Sequence, residues 1–221
     1  MTPALFCLMT SAVLGAAEVG PVPEVLRETR KLDPFYQKYL PVKGFAILSS
    51  ANVSDHALRE AAWILEHALK GREDILKTLS DNQVHLTVMA WNEYTTDVPE
   101  HRHLKPRIFW DRRARGLGGS TVSCGEENLL GYPDDPYAAE NLLIHEFAHA
   151  IHGIALTELD PTFDARLQEA YQSATKRELW KGTYAGTNHA EYWAEAVQSW
   201  FDDNRENDAL HNHVNTRAEL K

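Results

Sequence analysis

The stretch DDPYAAENLLIHEFAHAIHG, residues 134–153, restricts the possible folds more than any other part of the chain. Asp135 suits a helix N-cap, Pro136 a first helical position and Gly153 a C-terminal stop, so the spacing predicts one helix over residues 136–153. Ala139, Leu142, Leu143, Phe147, Ala150 and Ile151 form one broad apolar stripe that buries the helix along that side. His145 and His149, four residues apart, share another face at a distance of one turn. Two imidazoles so placed can hold a single Zn2+ at about 2.0–2.1 Å. Glu146 then stands beside the ion, where it can take a proton from a water held there. The plainer reading is a helix with two ordinary polar-face histidines.

A hydrolytic zinc needs three protein ligands and one open position, so the reading turns on a third donor. His152 is seven residues from His145, roughly 10 Å along a helix axis, too far for both to bind one ion. It is expected to support the metal ligands from behind or to be structural. The pattern HExxHxxGxxH is excluded, because His152 and Ala155 stand where Gly and His are required. Downstream, TYAGTNHAEYWAEAVQSWF (183–201) reads as a second amphipathic helix that begins at Thr187 or Asn188. Glu191, Glu195 and Gln198 line one polar stripe against Trp193, Ala194, Val197, Trp200 and Phe201. A carboxylate stripe on an otherwise apolar helix wants a cation or a solvent face. Glu191 is therefore the expected third ligand, and Glu195 is expected to orient His145 or His149 through its free ring N–H. Two alternatives stay open. Asn188 and Glu191 could form a capping box with Glu195 in water. Cys124, 21 residues before His145, could replace Glu191, since thiolates bind zinc tightly and peptide deformylases pair a Cys with HExxH.

HEFAH followed by Y-x-x-TN-x-x-E-[YF]-[WF]-AE resembles the peptidase domain of the anthrax lethal factor family, gluzincin-type zinc endopeptidases that include the secreted Pro-Pro endopeptidases. The likeness rests on residues 139–152 and 184–201. The run RGLGG, SCGEENLL, ENLLIHEFAHAIH is similar to a secreted group within that family. The resemblance implies a zincin-like fold, one Zn2+ per chain held by His145, His149 and Glu191, Glu146 as general base, and Tyr184 as the phenol that stabilises the oxyanion. From the residues alone, Tyr184 is a loop aromatic as readily as a catalytic donor. The implied activity is peptide-bond hydrolysis on a peptide or protein substrate. Two other functions fit the same motifs: a secreted binding module that keeps a non-catalytic zinc, and a Cys124-ligated hydrolase of small amides.

Residues 4–17 are apolar and uncharged, too short at 14 residues for the roughly 20 a membrane helix needs, and Gly15 and Ala17 offer a cleavage site. Residues 1–17 are thus expected to be a signal peptide, without a basic n-region, and the protein to be secreted or periplasmic. A Pro-punctuated arm follows at 18–43, then a single domain at 44–221. The net charge of −10 argues against nucleic acid and anionic membranes as partners. With Cys7 in the leader, Cys124 has no partner for an internal disulfide, so stability must come from packing. The expected fold is α+β: a small, partly antiparallel sheet (45–48, 84–91 and 107–110) packed on helices at 55–70, 72–79 and 161–179 and on the two zinc helices. Four arginines at 107–115 are read as a solvated face, and Gly116-Leu117-Gly118-Gly119-Ser120 as a rim beside the cleft where an extended substrate could add as a strand. His101 and His103 alternate along a loop, which disfavours a second metal site there.

Overall fold

The computed structural model describes residues 18–221, so the expected leader, 1–17, lies outside the described residues. A short strand β1 (Gly20–Pro21) and helix α1 (Glu24–Arg30) lead into a hairpin of β2 (Lys38–Val42) and β3 (Phe45–Ser49). Its two-residue turn, Lys43-Gly44, has φ of 48° and 87°, the left-handed backbone that suits the twist of paired strands. Helix α2 (Asp55–Ala68), whose first turn is capped by Ser54 Oγ accepting from His56 N, and helix α3 (Glu73–Asp81) cross over to β4 (His85–Met89). There follow α4 (Arg107–Arg113), β5 (Gly116–Leu117), β6 (Val122–Gly125), α5 (Glu126–Leu130), α6 (Leu142–Ala150), α7 (Thr157–Leu159), α8 (Phe163–Lys176) and α9 (His189–Trp200).

The six strands make one mixed sheet in the order β1-β2-β3-β4-β6-β5. Parallel pairing joins β3 to β4 and β4 to β6, while β1, β2 and β5 run antiparallel at the two edges. Side chains alternate across the sheet. Phe45, Ile47, Leu86, Val88, Val122 and Cys124 face a helical layer that includes Leu58, Leu65, Leu76, Leu143 and Phe147. Phe147 of α6 meets Phe45 edge to face at 5.5 Å, which fixes the histidine-bearing helix to the centre of the sheet. Ala46 and Leu48 point the other way, against Val22, Leu32 and Tyr36, so the residues of the expected arm cover the second face, with β1 and β2 as strands of the sheet.

Three expectations are corrected. Residues 107–110 are helix, not strand: Arg107 pairs with Asp111 one turn on at 3.1 Å, and Ile108 and Phe109 are exposed with no strand to join. The sheet takes its next strand from β6, which the polar, short VSCG did not advertise. The helix expected over 136–153 begins six residues late and does not stop at Gly153. Asp135 caps a turn by accepting from Tyr137 N at 2.9 Å, while Asn141 caps α6 by accepting from Ile144 N at 3.1 Å. Beyond Ala150 the chain continues through a π-helical stretch, Ile151–Leu156, because Ala155 and Leu156 are buried against α3; packing overrides the glycine.

Candidate active site

Helices α6 and α9 cross over a cleft of about 690 Å³, floored by His145, Glu146, His149 and Glu191 and rimmed by Tyr184 and the β5 edge. Their packing is pinned by Trp193 Nε1, which donates to Ala148 O at 2.9 Å. Asn188 caps α9 by accepting from Ala190 N and Glu191 N, both at 2.9 Å, and the Glu191 side chain then turns away from the cap. Its Oε2 lies 3.2 Å from His145 Nε2 and 3.3 Å from His149 Nε2, and the two Nε2 atoms are 3.2 Å apart. Of the two readings of Glu191, the capping box is the one this geometry disfavours.

These three atoms fit a metal ion on their own chemistry. Tetrahedral donors at about 2.0–2.1 Å stand about 3.3–3.4 Å from one another, close to all three separations here. Two imidazole nitrogens facing each other at 3.2 Å need a shared proton or a cation between them. Tautomers agree with this. His145 Nδ1 donates to Gln198 Oε1 at 2.8 Å, and the amide is oriented by its own Nε2, which donates to Asn141 O at 3.2 Å and Glu140 Oε2 at 3.3 Å. With one proton on Nδ1, Nε2 is the atom left to face the cluster, as an N–H donor to Glu191 or, around an ion, as a lone pair.

The charge balance is acidic. Burial opposes a charge on His145, but Glu191, Glu146 and Glu195 around it outweigh burial and draw its pKa well above the ordinary imidazole range. Burial likewise opposes ionisation of Glu191, yet hydrogen bonds from His145 and His149 hold its pKa at about 2. Glu146 goes the other way, its pKa raised by burial despite the neighbouring imidazoles. That direction suits a base that must accept a proton near neutrality.

The glycine rim matters here for space rather than for torsional freedom. A Cβ at Gly118 would lie 2.6 Å from Glu146 O and 2.8 Å from His149 Cβ, and one at Gly116 would lie 3.0 Å from Glu146 Cγ. Only without side chains at 116 and 118 can this rim press against the histidine-bearing turn. As expected of a rim, β5 pairs with β6 on one side and ends the sheet on the other.

The remaining expected residues divide. Tyr184, at the start of a single 3-10 turn, places its ring 6.1 Å from that of His145, nearly parallel to it, and burial raises its pKa to about 12, so it faces the cleft as a neutral donor. Glu195 Oε1 is 3.4 Å from His145 Nδ1 and has no hydrogen-bond partner among the described residues, while Gln198 takes the ring proton. The orienting role expected of Glu195 thus falls first to Gln198, a residue of the same stripe. Cys124 is wholly buried in the sheet, its thiol pKa pushed up by burial, and it lies outside the His145–His149–Glu191 cluster. That position removes it as a rival ligand. His101 bonds to Ser123 Oγ at 3.1 Å and belongs to no such cluster.

The tail, residues 202–221, carries contacts that no sequence signal announced. Leu210 O accepts from Tyr184 N at 2.7 Å, His211 Nε2 stands 3.4 Å from Glu195 Oε2, and Arg205 stands 3.4 Å from Glu140.

No family model matches the chain, and no curated protein does. Among solved structures it is similar to that of the Pro-Pro endopeptidase PPEP-2 from Paenibacillus alvei, with 22% identity, a TM-score of 0.51, and coverage of 80% of this chain and 88% of that one. The likeness is one of fold.

Proposed function

We propose that this chain is a secreted or periplasmic zinc-dependent endopeptidase of the gluzincin type. The reading rests on one observation: two imidazole nitrogens and a carboxylate oxygen from distant parts of the chain converge at 3.2–3.3 Å in an open cleft. The shared fold with a Pro-Pro endopeptidase supports peptide as the substrate class. Bond preference is another matter, because specificity resides in cleft loops rather than in the fold.

His145, His149 and Glu191 would hold one Zn2+, which when bound supplies Lewis acidity and lowers the pKa of water toward about 7. Glu146, with its raised pKa, accepts the proton of the attacking water and returns it to the leaving amine. Tyr184, which stays neutral, donates a hydrogen bond to the carbonyl oxygen as charge builds there. Gln198 keeps His145 in the tautomer that the ligand role demands. The β5 edge offers backbone groups beside the cleft, on which an extended peptide can align. None of the described helices is long and apolar enough to cross a membrane.

The test is cleavage of a diverse peptide library by protein of measured metal content. Chelator-sensitive cleavage is expected. Glu146→Gln should keep its zinc and lose about 10²–10⁴-fold in turnover. Turnover that survives either treatment would overturn the proposal.

A further inference from the structure

We propose that His152, Asp164 and His189 form a second metal site, suited to a transition ion such as Zn2+, which clips α8 to the two helices of the cleft. The three residues come from three elements: the π-helical extension of α6, the first turn of α8 and the first residue of α9. Both imidazoles aim Nε2 at the same carboxylate oxygen, Asp164 Oδ1, at 2.9 Å from His152 and 3.2 Å from His189. All three donor atoms lie within 4.8 Å of one another.

Two imidazoles and a carboxylate are a zinc-type donor set with a net charge of −1, and the 3.2 Å edge between His189 and Asp164 is already close to the roughly 3.3–3.4 Å spacing of tetrahedral donors. The 2.9 Å edge between His152 and Asp164 and the edge between the two imidazoles would adjust around an ion. The carboxylate is oriented for the task, since its other oxygen accepts from Gln168 Nε2 at 2.7 Å, leaving Oδ1 to the imidazoles. His152 is held from the side by the Phe163 ring at 5.9 Å and the edge of His189 at 5.5 Å. Its side chain is 9% exposed, against 33% for His189 and 49% for Asp164, so the site has a fixed inner ligand and an open outer side through which an ion can enter. The residues flank the first cluster in sequence: His152 follows His149 by three positions, and His189 precedes Glu191 by two. An ion here would tie α8 to the same two segments that must stay in register for His145, His149 and Glu191 to converge. Its stabilisation would then scale with its occupancy.

The competing account is a hydrogen-bonded His–Asp–His bridge with no ion, and metal counting separates the two. Chelator-stripped protein is titrated with Zn2+ by calorimetry, for the full chain, Asp164→Asn, Glu191→Ala and the double variant. About two equivalents are expected for the full chain, about one for each single variant and none for the double. Zn2+ should also raise the Tm of Glu191→Ala but not of the double variant. His189→Ala, which alters a partly exposed side chain, repeats the count should Asp164→Asn fold poorly. One equivalent in the full chain, lost in Glu191→Ala and kept in Asp164→Asn and His189→Ala, would overturn the second site and leave the proposed function standing. One equivalent lost in Asp164→Asn and kept in Glu191→Ala would do the reverse.

Discussion

The protein keeps histidines in two opposite surroundings, one on each side of its sheet. On the arm side, His85 and His101 sit among Tyr36, Thr87, Ser123 and Glu100, and burial lowers both pKa values, that of His101 to about 4. On the cleft side, His145 is as deeply buried yet is driven toward a positive partner. Burial is therefore not what separates them. His85 has one carboxylate nearby, Glu100 at 3.5 Å, and that carboxylate also takes the Tyr36 hydroxyl. His145 is faced by Glu191, Glu146 and Glu195. One shared carboxylate loses to desolvation, whereas three prevail over it. The first arrangement makes a neutral structural layer, and the second makes a place for a cation.

The contrast breaks most completely at Glu191. Glu191→Ala removes the group that both cleft imidazoles face, and metal analysis should find stoichiometric zinc lost from that site together with all peptide cleavage. Tyr184→Phe should leave the metal in place and lower turnover by about 10²–10³-fold, the usual worth of one oxyanion donor. Unchanged turnover in that variant would return Tyr184 to the role of a packed aromatic. Gln198→Leu leaves His145 Nδ1 without its acceptor, and a loss of about 10–100-fold in zinc affinity or activity is expected, read as a shifted calorimetric isotherm.

The arm-side histidines yield the smallest effect, on stability rather than turnover. Their folded pKa values lie below the unfolded value near 6.5, so the unfolded chain binds more protons in acid. Stability is full above pH 6.5 and falls as pH drops toward 4. Urea unfolding at stepped pH reads this slope directly. His101→Gln should flatten it, and an equal slope in that variant would mean that His101 is not the source.

Much of the site was legible in advance because helical spacing is a local rule. Offsets of four from His145 to His149, and of four and seven from Glu191 to Glu195 and Gln198, place those side chains on common faces wherever the helices lie. The strands were less legible. Phe45–Ser49 and His85–Met89 announce themselves as apolar runs, but Lys38–Val42 contains a proline and Val122–Gly125 is short and half polar. Both are strands because the neighbouring strand supplies their hydrogen bonds. The reverse error at 107–113 has the same root: an apolar IFW triplet reads as a strand until no sheet edge is there to receive it.

By itself the amino-acid sequence determined that one helix would present two imidazoles and a glutamate, that a second would carry a carboxylate stripe, and that glycines would border the place where they meet. Backbone periodicity within each segment suffices for that. Tertiary packing decided the rest: that Glu191 reaches both imidazoles, that Gln198 rather than Glu195 takes the His145 proton, that Cys124 is enclosed in the sheet, and that His152 and His189 meet on Asp164. Each of those outcomes depends on the angle and depth at which one helix seats against another. Those are set by contacts such as Phe147 on Phe45 and Trp193 on Ala148, between residues 102 and 45 positions apart.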